Sequence, residues 1–351
     1  MDDYRKALTV WYNHSKRELP WRESKDPYKI WVSEVILQQT RVKQGLDYYY
    51  NFLKSFPTLN ILACAHEEEV LKVWQGLGYY SRARNMLHAA KTIVTEYGGK
   101  FPDDYPSIRK LKGIGDYTAA AIASISFNLP YAVVDGNVFR VLSRLFGITT
   151  PIDSSSGKKE FYSIAQLMLD TRRPGDSNQS LMELGALICL PDLPQCQECP
   201  LMTKCYAFAN QTVSDLPVKS KKAKQKDRYL NYLYLHNDEY LFMEKRGDKD
   251  IWRNMYQFPL IETQNSANFE SIAASAEWKK ILSGKAYILM QVSGEIVHLL
   301  THQRLHIRFF TIWLNDTKFP EDLIAVDKAK ISDYPVPKPI EIFLRQMGHR
   351  N

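Results

Sequence analysis

Apolar residues recur at spacings of three and four through residues 1 to about 209, and prolines and glycines separate the segments. This period is that of amphipathic helices, so the pattern predicts a helical first domain. One helix should begin with Asp26 as its N-cap and Pro27 in its first turn, and continue through WVSEVILQQTRV. Three further segments show the same period and predict helices: PTLNILACAHEEEVLKVWQGL, SRARNMLHAAKTIVTEYG and NVFRVLSRLFG.

The pattern changes near residue 229 to one that is typical of strands. In RYLNYLYLHNDEYLFMEKR two runs rich in aromatic and apolar residues flank His-Asn-Asp-Glu, which indicates a hairpin. Strands are also predicted for YILMQVSGEIVHLL and LHIRFFTIWL, and a helix for NFESIAASAEWKKIL. The expected fold class is mainly α, with a helical domain over residues 1–209 and a smaller α+β domain over residues 229–351. A length of 351 residues fits two domains.

Residues 210–228 are predicted to be a basic linker between the domains. Its last part, VKSKKAKQKDR, has no apolar period and carries six cations against one acid, Asp227. Those cations are Lys219, Lys221, Lys222, Lys224, Lys226 and Arg228. Such a run is usually solvated, and a linker that also contacts a phosphate backbone is the alternative. The net charge of +7 permits a nucleic-acid partner without requiring one.

The N-terminal stretch MDDYRKALTVWYNHS begins with acids and lacks the apolar core of a signal peptide. No apolar run approaches the ~18 residues that span a bilayer, so no membrane association is expected. A cytoplasmic, reducing location is therefore the expectation. Disulfides are disfavoured in that location.

Four of the five cysteines lie in CLPDLPQCQECPLMTKC, at Cys189, Cys196, Cys199 and Cys205. Zinc sites usually use two short-spaced pairs, and here only Cys196 and Cys199 form one. Four thiolates are also the normal ligand set of a cubane iron–sulfur cluster, although the spacing is not that of ferredoxins. The residues alone leave both metals open. The fifth cysteine, Cys64, has apolar neighbours and is predicted to be a small core residue.

A short turn with two glycines, Gly113 and Gly115, separates two predicted helices in LKGIGDYTAAA, at about residues 108–124. Glycines let backbone N–H groups approach a phosphate closely, and the second helix adds the positive end of its dipole. An ordinary tight turn between helices is the alternative.

Two carboxylates are predicted to lie in opposite environments. Asp135 precedes a helix in VVDGNVFRV, where backbone N–H groups and the helix dipole favour its ionised form. A plain N-cap is the alternative. Glu34 has apolar neighbours that would raise its pKa, unless it lies on a solvent-facing side of its helix. A neutral acid beside an anionic carboxylate suits cleavage of a glycosidic bond through an oxocarbenium-like transition state.

The glycine turn, the following aspartate and the cysteine spacing together resemble the helix-hairpin-helix DNA glycosylases that carry an iron–sulfur cluster. Five segments are similar to those of the adenine DNA glycosylases of the MutY type: LPWR, WVSEVILQQTRV, GLGYYSRARN, VVDGNVFRV and NQSLMELGALIC. The resemblance spans most of residues 19–205 and is weaker in the C-terminal domain. It implies a base excision repair enzyme that binds double-stranded DNA, flips adenine out of an adenine:8-oxoguanine or adenine:guanine mispair and hydrolyses its glycosidic bond.

The resemblance also implies roles for single residues. Glu34 would be the general acid and Asp135 would stabilise the developing sugar cation or form a transient adduct, with Tyr117 and Asn137 in support. The residues expected to contact DNA are Gln39, Thr40, Leu77, Tyr79, Gly113, Gly115, Thr301 and His302. The four clustered cysteines would hold a 4Fe-4S cluster as metal ligands. The protein would act as a monomer in the bacterial cytoplasm, associated with the nucleoid.

One departure from related lyase-type glycosylases predicts whether the enzyme also cuts the DNA backbone. Those enzymes carry a catalytic lysine two residues after the second glycine of the turn, and here that position is Tyr117. A monofunctional enzyme that leaves the DNA backbone uncut is therefore expected. Lys112, inside the turn, would rather contact phosphate.

The C-terminal domain is similar to a Nudix-like domain but lacks the signature Gly-x5-Glu-x7-Arg-Glu-x2-Glu-Glu, so nucleotide hydrolysis is not expected. Where the family carries Phe-Ser-His to recognise 8-oxoguanine, this chain has Leu300, Thr301 and His302, and the threonine keeps the hydroxyl. Three alternatives remain: a glycosylase for oxidised pyrimidines, a non-catalytic iron–sulfur DNA-binding protein, and a zinc-finger-like DNA reader. The first is opposed by Tyr117, the second by Glu34 and Asp135, and metal content would decide the third.

Overall fold

A computed structural model describes residues 1–220, 225–282, 285–315 and 323–349. Lys221, Lys222 and Lys224 of the predicted linker lie outside these ranges. By residue contacts the chain forms two compact units. The first comprises Met1–Ala65 and Asn85–Lys221, and the second comprises His66–Arg84 and Lys222–Asn351. The sequence predicts residues 66–84 to be part of the helical domain. Their contacts instead group them with the C-terminal unit.

The helices are α1 (Asp2–Ser15), α2 (Pro27–Leu37), α3 (Val42–Ser55), α4 (Leu59–Cys64), α5 (Glu67–Val73), α6 (Ser81–Glu96), α7 (Tyr105–Lys110), α8 (Asp116–Phe127), α9 (Gly136–Phe146), α10 (Ser155–Met168), α11 (Pro174–Leu187), α12 (Tyr206–Ala209), α13 (Phe269–Ala273), α14 (Ala276–Leu282) and α15 (Lys338–Gln346). The strands are β1 (Lys226–His236), β2 (Tyr240–Lys245), β3 (Tyr256–Gln257), β4 (Leu260–Thr263), β5 (Tyr287–Val292), β6 (Ile296–Leu299), β7 (Gln303–Leu314) and β8 (Ile324–Asp327). Of the helices in the described ranges, none has the length and apolar character of a membrane span.

The helix that carries Glu34 begins where the sequence predicts. The Asp26 carboxylate accepts a hydrogen bond from the Tyr28 N–H, and Pro27 occupies the first turn. The helix ends at Leu37 rather than continuing to Val42, because the chain turns at Gln39, whose φ of 59° lies in the left-handed region. The predicted extension of this helix is therefore wrong.

The predicted helices at residues 81–98 and 137–147 are confirmed as α6 and α9. The long helix predicted for residues 57–77 is instead two, because His66 starts a new helix whose Glu69 carboxylate accepts from the His66 N–H. Cys64, at the end of α4, is exposed, so its predicted core position is wrong.

In the first unit, α8 is the central helix, and its alanines allow close packing. Ala119–Ala123 are at most 1% exposed, and α2, α7 and α11 contact this helix. A second core joins α1, α9, α10 and α11, with Leu142 and Phe161 fully buried. Together these packings bring α2, the start of α8, the start of α9 and the middle of α11 around one space.

In the second unit, β1 lies at the centre of a mixed sheet in the order β3-β2-β1-β7-β5. It pairs in parallel with β7 and forms the predicted antiparallel hairpin with β2, where His236 lies opposite Leu241. One face packs on α15 through Phe343, and the other packs on α14 through Trp278. Because β1 begins at Lys226, the last residues of the predicted linker are strand. The mainly helical fold with a smaller α+β part is confirmed.

Candidate active site and cysteine loop

Glu34 is buried, with 8% of its surface exposed, because its helix is packed against both α3 and α8. The Tyr117 hydroxyl donates a hydrogen bond of 2.5 Å to Glu34 Oε2. Burial raises the pKa of Glu34 to about 7, and the nearby Asp135 adds to the rise, while the Tyr117 hydrogen bond and Arg22 oppose it. The apolar environment that the sequence predicts is therefore present, and the carboxyl group is partly protonated near neutral pH.

Asp135 is the N-cap of α9. Its Oδ1 accepts from the Val138 N–H at 2.7 Å and its Oδ2 accepts from Asn137 Nδ2 at 2.9 Å. Burial nevertheless raises the pKa of Asp135 above its ordinary value, and these hydrogen bonds only oppose that rise. The helix end alone predicts a lowered pKa for Asp135, and that prediction is wrong because burial outweighs the helix end.

Asn137 is held in turn by Arg140. The guanidinium donates from Nη2 to Asn137 Oδ1 and to the Gly185 carbonyl, both at 2.8 Å, and from Nε to the Cys189 carbonyl at 2.7 Å. This cation therefore joins α9, the end of α11 and the start of the cysteine loop. Two backbone carbonyls thus hold the Arg140 guanidinium in place, and the guanidinium in turn fixes the Asn137 side chain.

Gly185 allows α11 to approach α9 closely at this point. A Cβ atom there would lie 2.6 Å from Asn137 Cβ, closer than real Cβ contacts. We expect Gly185→Ala to lower the free energy of unfolding by about 1–3 kcal/mol through this overpacking and to slow base release by displacing Asn137. Thermal unfolding and single-turnover kinetics measure both effects. The matched control is Gly136→Ala, whose Cβ meets no described atom within 4 Å, and equal effects of the two changes would contradict the account.

The two carboxyl groups, Tyr117 and Asn137 line a cavity of about 210 Å³ together with Thr40. The structure thus brings together all four predicted catalytic residues and one of the residues expected to contact DNA. The further lining residues, which the sequence analysis did not place in the site, include four with polar or sulfur-containing side chains deep in α11 or beside it: Arg22, Gln179, Met182 and Glu183.

Glu183 is the most tightly bound of these missed residues. Its side chain is 1% exposed and accepts from Arg17 Nη2 at 2.6 Å and from Arg22 Nη2 at 2.7 Å. Burial alone would raise the pKa of Glu183, but the hydrogen bonds from the two arginines lower it to about 2. Arg22 and Glu183 both lie in segments that carry the family resemblance, LPWR and NQSLMELGALIC, and that was the only available signal.

The predicted phosphate turn lies at the N-terminal end of α8. Gly113 has a φ of 82°, and a Cβ atom there would lie 2.5 Å from Asn85 Cβ, so the position requires glycine. Gly115 is the N-cap of α8 and has an ordinary φ of −87°. Lys112 and Gln39 are exposed. The glycine turn therefore presents backbone N–H groups at a helix end, beside an exposed cation.

Four predicted DNA contacts lie in the second unit: Leu77, Tyr79, Thr301 and His302. Tyr79 is half-exposed, and its hydroxyl lies 3.1 Å from Thr301 Oγ1, although 222 residues separate the two in sequence. His302 is exposed and Leu77 is nearly buried. The second unit therefore places Tyr79 of GLGYYSRARN next to Thr301, which stands where the family has serine.

The four clustered cysteines are free thiols, and each of Cys196, Cys199 and Cys205 interacts electrostatically with Cys189. Burial raises the pKa of Cys199 to about 11. The buried Arg144 donates to Cys189 Sγ at 3.4 Å and to the Leu190 carbonyl at 2.6 Å, which fixes the start of the loop.

Within the described ranges, no three His, Cys, Asp or Glu side chains are arranged so as to hold a metal ion. The donor set nevertheless fits a four-thiolate group in its chemistry, because the thiols neighbour one another and a buried cation faces one sulfur.

Residues 32–164 match the HhH-GPD superfamily of base excision DNA repair proteins, and residues 231–346 match the NUDIX domain. The adenine DNA glycosylase of Buchnera aphidicola subsp. Schizaphis graminum is 33% identical over 97% of each chain. That of Mus musculus is 31% identical and covers 89% of this chain and 71% of its own length. A thermostable thymine-DNA glycosylase has a similar structure, with a TM-score of 0.55 and 27% identity over 60% of this chain and 96% of its own. Since a relative more than 30% identical extends along almost the whole length, the chain belongs to the family of adenine DNA glycosylases and is a DNA glycosylase enzyme.

Proposed function

We propose that the protein removes adenine from duplex DNA in which adenine is paired with 8-oxoguanine or guanine. The observation that carries this proposal is the pair Glu34 and Asp135 in one small cavity, one carboxyl group with a pKa of about 7 and the other capping a helix. The names of the relatives support adenine as the base removed. The hydroxyls of Tyr79 and Thr301 support recognition of the opposite base.

Glu34 acts as the general acid in this proposal. Its proton passes to N7 of the everted adenine, the bond between N9 and the sugar C1′ breaks, and the electron pair leaves with the base. Because the pKa of Glu34 is near neutral pH, a substantial fraction of Glu34 is protonated there, and this proton transfers readily to the base. Tyr117 holds the Glu34 carboxyl group through its hydrogen bond.

Asp135, as the carboxylate, stabilises the positive charge that develops on the sugar. Its hydrogen bonds to the Val138 N–H and Asn137 keep its two oxygens oriented. Water then adds to C1′, and its proton returns to the Glu34 carboxylate, which restores the starting state. Among the described residues that line the cavity none is a lysine, so the product is an abasic sugar in an uncut strand.

We further propose that Cys189, Cys196, Cys199 and Cys205 hold a 4Fe-4S cluster. The cluster would cross-link the cysteine loop covalently. The loop is also tied to the active site, because Arg140 hydrogen-bonds both the Cys189 carbonyl and Asn137. The protein is proposed to act as a monomer in the bacterial cytoplasm, at the nucleoid.

Cys199→Ser is expected to lower the iron bound per protein and the melting temperature together, because one ligand of the cluster is lost. Metal analysis and thermal unfolding measure these effects. Cys64→Ser is the matched control, since Cys64 is exposed and outside the loop, and it should change neither quantity. Zinc rather than iron in the purified protein would contradict the proposed cofactor.

Base release from four duplexes tests the proposed function. Adenine is placed opposite 8-oxoguanine, guanine, thymine or cytosine, and free adenine is measured by chromatography. Release is expected from the first two only, without strand cleavage. Failure to release adenine from any duplex by protein with its metal intact would overturn the proposal.

A further inference from the structure

The glycine turn before α8 carries one acid among several exposed cations. Arg109, Lys110 and Lys112 are exposed and lie in α7 or in the turn itself. Asp116 is the first residue of α8, and 78% of its side chain is exposed. A carboxylate beside a phosphate-binding turn opposes binding, because like charges repel. The presence of Asp116 at this position therefore needs its own explanation.

The start of α8 offers hydrogen-bond donors to an anion. Its N-cap, Gly115, has no side chain that could accept from them, and the helical hydrogen bonds begin with the Ala119 N–H, which donates to the Gly115 carbonyl at 2.9 Å. The N–H groups of the first turn therefore have no acceptor within the helix, and the helix dipole adds its positive end. These groups favour a phosphate. The Asp116 carboxylate is an anion attached to the same turn, so it competes with a phosphate for this place.

Arg109 is bound by this carboxylate. Its Nε donates to Asp116 Oδ1 at 2.5 Å, and its Nη1 donates to the Ile114 carbonyl at 3.1 Å. The side chains of Arg109 and Asp116 are 46% and 78% exposed, and ion pairs so exposed contribute little to stability. A free guanidinium can bind a phosphate through two parallel hydrogen bonds. The pair thus engages a cation that would otherwise be available to the DNA backbone.

We propose that Asp116 weakens the hold of the glycine turn on DNA and so shortens the time that the protein stays on undamaged duplex. Its carboxylate repels the phosphate from the start of α8 and keeps Arg109 engaged. Contacts with phosphate carry no information on the bases, so this effect acts on every duplex and leaves discrimination to the base contacts. The inference rests on the proposed function, since it takes the glycine turn as the place where the DNA backbone is bound.

Binding of an undamaged duplex by the full-length Asp116→Asn variant tests this inference. Fluorescence anisotropy measures the affinity at several salt concentrations, and a competitor chase measures the dissociation rate. We expect the affinity to rise by about three- to tenfold, the size of one exposed charge interaction, and dissociation to slow correspondingly. The slope of log affinity against log salt concentration should steepen by about 0.9, because the freed Arg109 gains one phosphate contact.

Arg109→Gln isolates the role of the cation. This variant keeps the carboxylate without its partner, so it should bind the duplex more weakly than the wild-type protein. The double variant Arg109→Gln/Asp116→Asn lacks the cation that the asparagine would release. It should therefore bind less tightly than Asp116→Asn alone and lack the steeper salt slope, since the two effects are coupled.

The matched control is Glu96→Gln, which makes the same change of charge at the exposed far end of α6. Asn85 of that helix lies against Gly113 of the turn. Glu96 is eleven residues further along the helix, a rise of about 16 Å, which exceeds the screening length at physiological salt. The control should therefore leave the affinity for the duplex unchanged.

Melting curves establish that each variant is folded. An unchanged affinity or salt slope in folded Asp116→Asn, or equal tightening by Glu96→Gln, would overturn the inference. Adenine release from the mispaired duplex is measured separately. Tighter binding without adenine release would contradict the proposed function alone, and adenine release without tighter binding would contradict this inference alone.

Discussion

Glu34→Gln is expected to lower the single-turnover rate of adenine release by about 10³-fold, within the range of a general acid's contribution. The amide keeps the size of the side chain and can still accept from the Tyr117 hydroxyl, so binding of the duplex should stay unchanged. The control is Glu96→Gln, an exposed residue at the end of α6. A near-normal rate in Glu34→Gln would show that another group supplies the proton.

The same variant should be more stable than the wild-type protein at high pH. The pKa of Glu34 is about 7 in the folded chain and 4.5 as its ordinary value, so folding favours the protonated form. Below pH 4.5 both proteins carry a neutral side chain and should differ little. As the pH rises from about 4.5 to 7 the unfolded wild-type chain ionises at Glu34 before the folded chain does, so the wild-type protein loses up to about 3 kcal/mol of stability that the amide does not lose. Melting temperatures at pH 5 and pH 9 measure the difference, and a less stable variant at pH 9 would contradict the buried site.

Glu183→Gln is expected to lower the free energy of unfolding by about 3 kcal/mol or more at neutral pH. The change removes the anion that pairs with both Arg17 and Arg22, and an uncompensated buried charge is strongly destabilising. Since the pKa of Glu183 is depressed to about 2, the effect should be complete above pH 4.5 and shrink as the pH falls toward 2. Denaturant unfolding measures it.

The control for this change is Glu160→Gln, an exposed residue of α10. It should alter stability by less than about 0.5 kcal/mol, as surface substitutions do. Should Glu183→Gln behave like this control, the two arginines would have to be stabilised by groups other than Glu183.

Local pattern was sufficient for several parts of the fold. The N-cap and proline at Asp26 and Pro27 placed the start of α2, and two aromatic and apolar runs on either side of His-Asn-Asp-Glu placed the hairpin of β1 and β2. Both signals act within a few residues of the element that they predict. The apolar neighbours of Glu34 likewise predicted its burial, because an almost wholly apolar helix must be covered on all sides.

Other features depend on contacts between distant segments. The ion pair of Arg22 and Glu183 joins residues 161 positions apart, and the hydrogen bond of Tyr79 and Thr301 spans 222 positions. The low pKa predicted for Asp135 rested on its position at a helix end, which can be read from the neighbouring residues. The burial that instead raises this pKa comes from the packing of distant segments and cannot be read locally. Likewise, residues 66–84 are helical in pattern, yet their contacts place them with the sheet.

The pH dependence of adenine release from an adenine:8-oxoguanine duplex shows whether the acid form of Glu34 drives the reaction. Single-turnover rates are measured between pH 5 and pH 10 for the wild-type protein and Glu34→Gln. We predict that the wild-type rate falls as the pH rises, with a midpoint near 7, because the acid form of Glu34 is lost, and that the residual rate of the variant lacks this step. A wild-type rate that stays constant from pH 6 to pH 9, or the same fall in the variant, would contradict Glu34 as the acid.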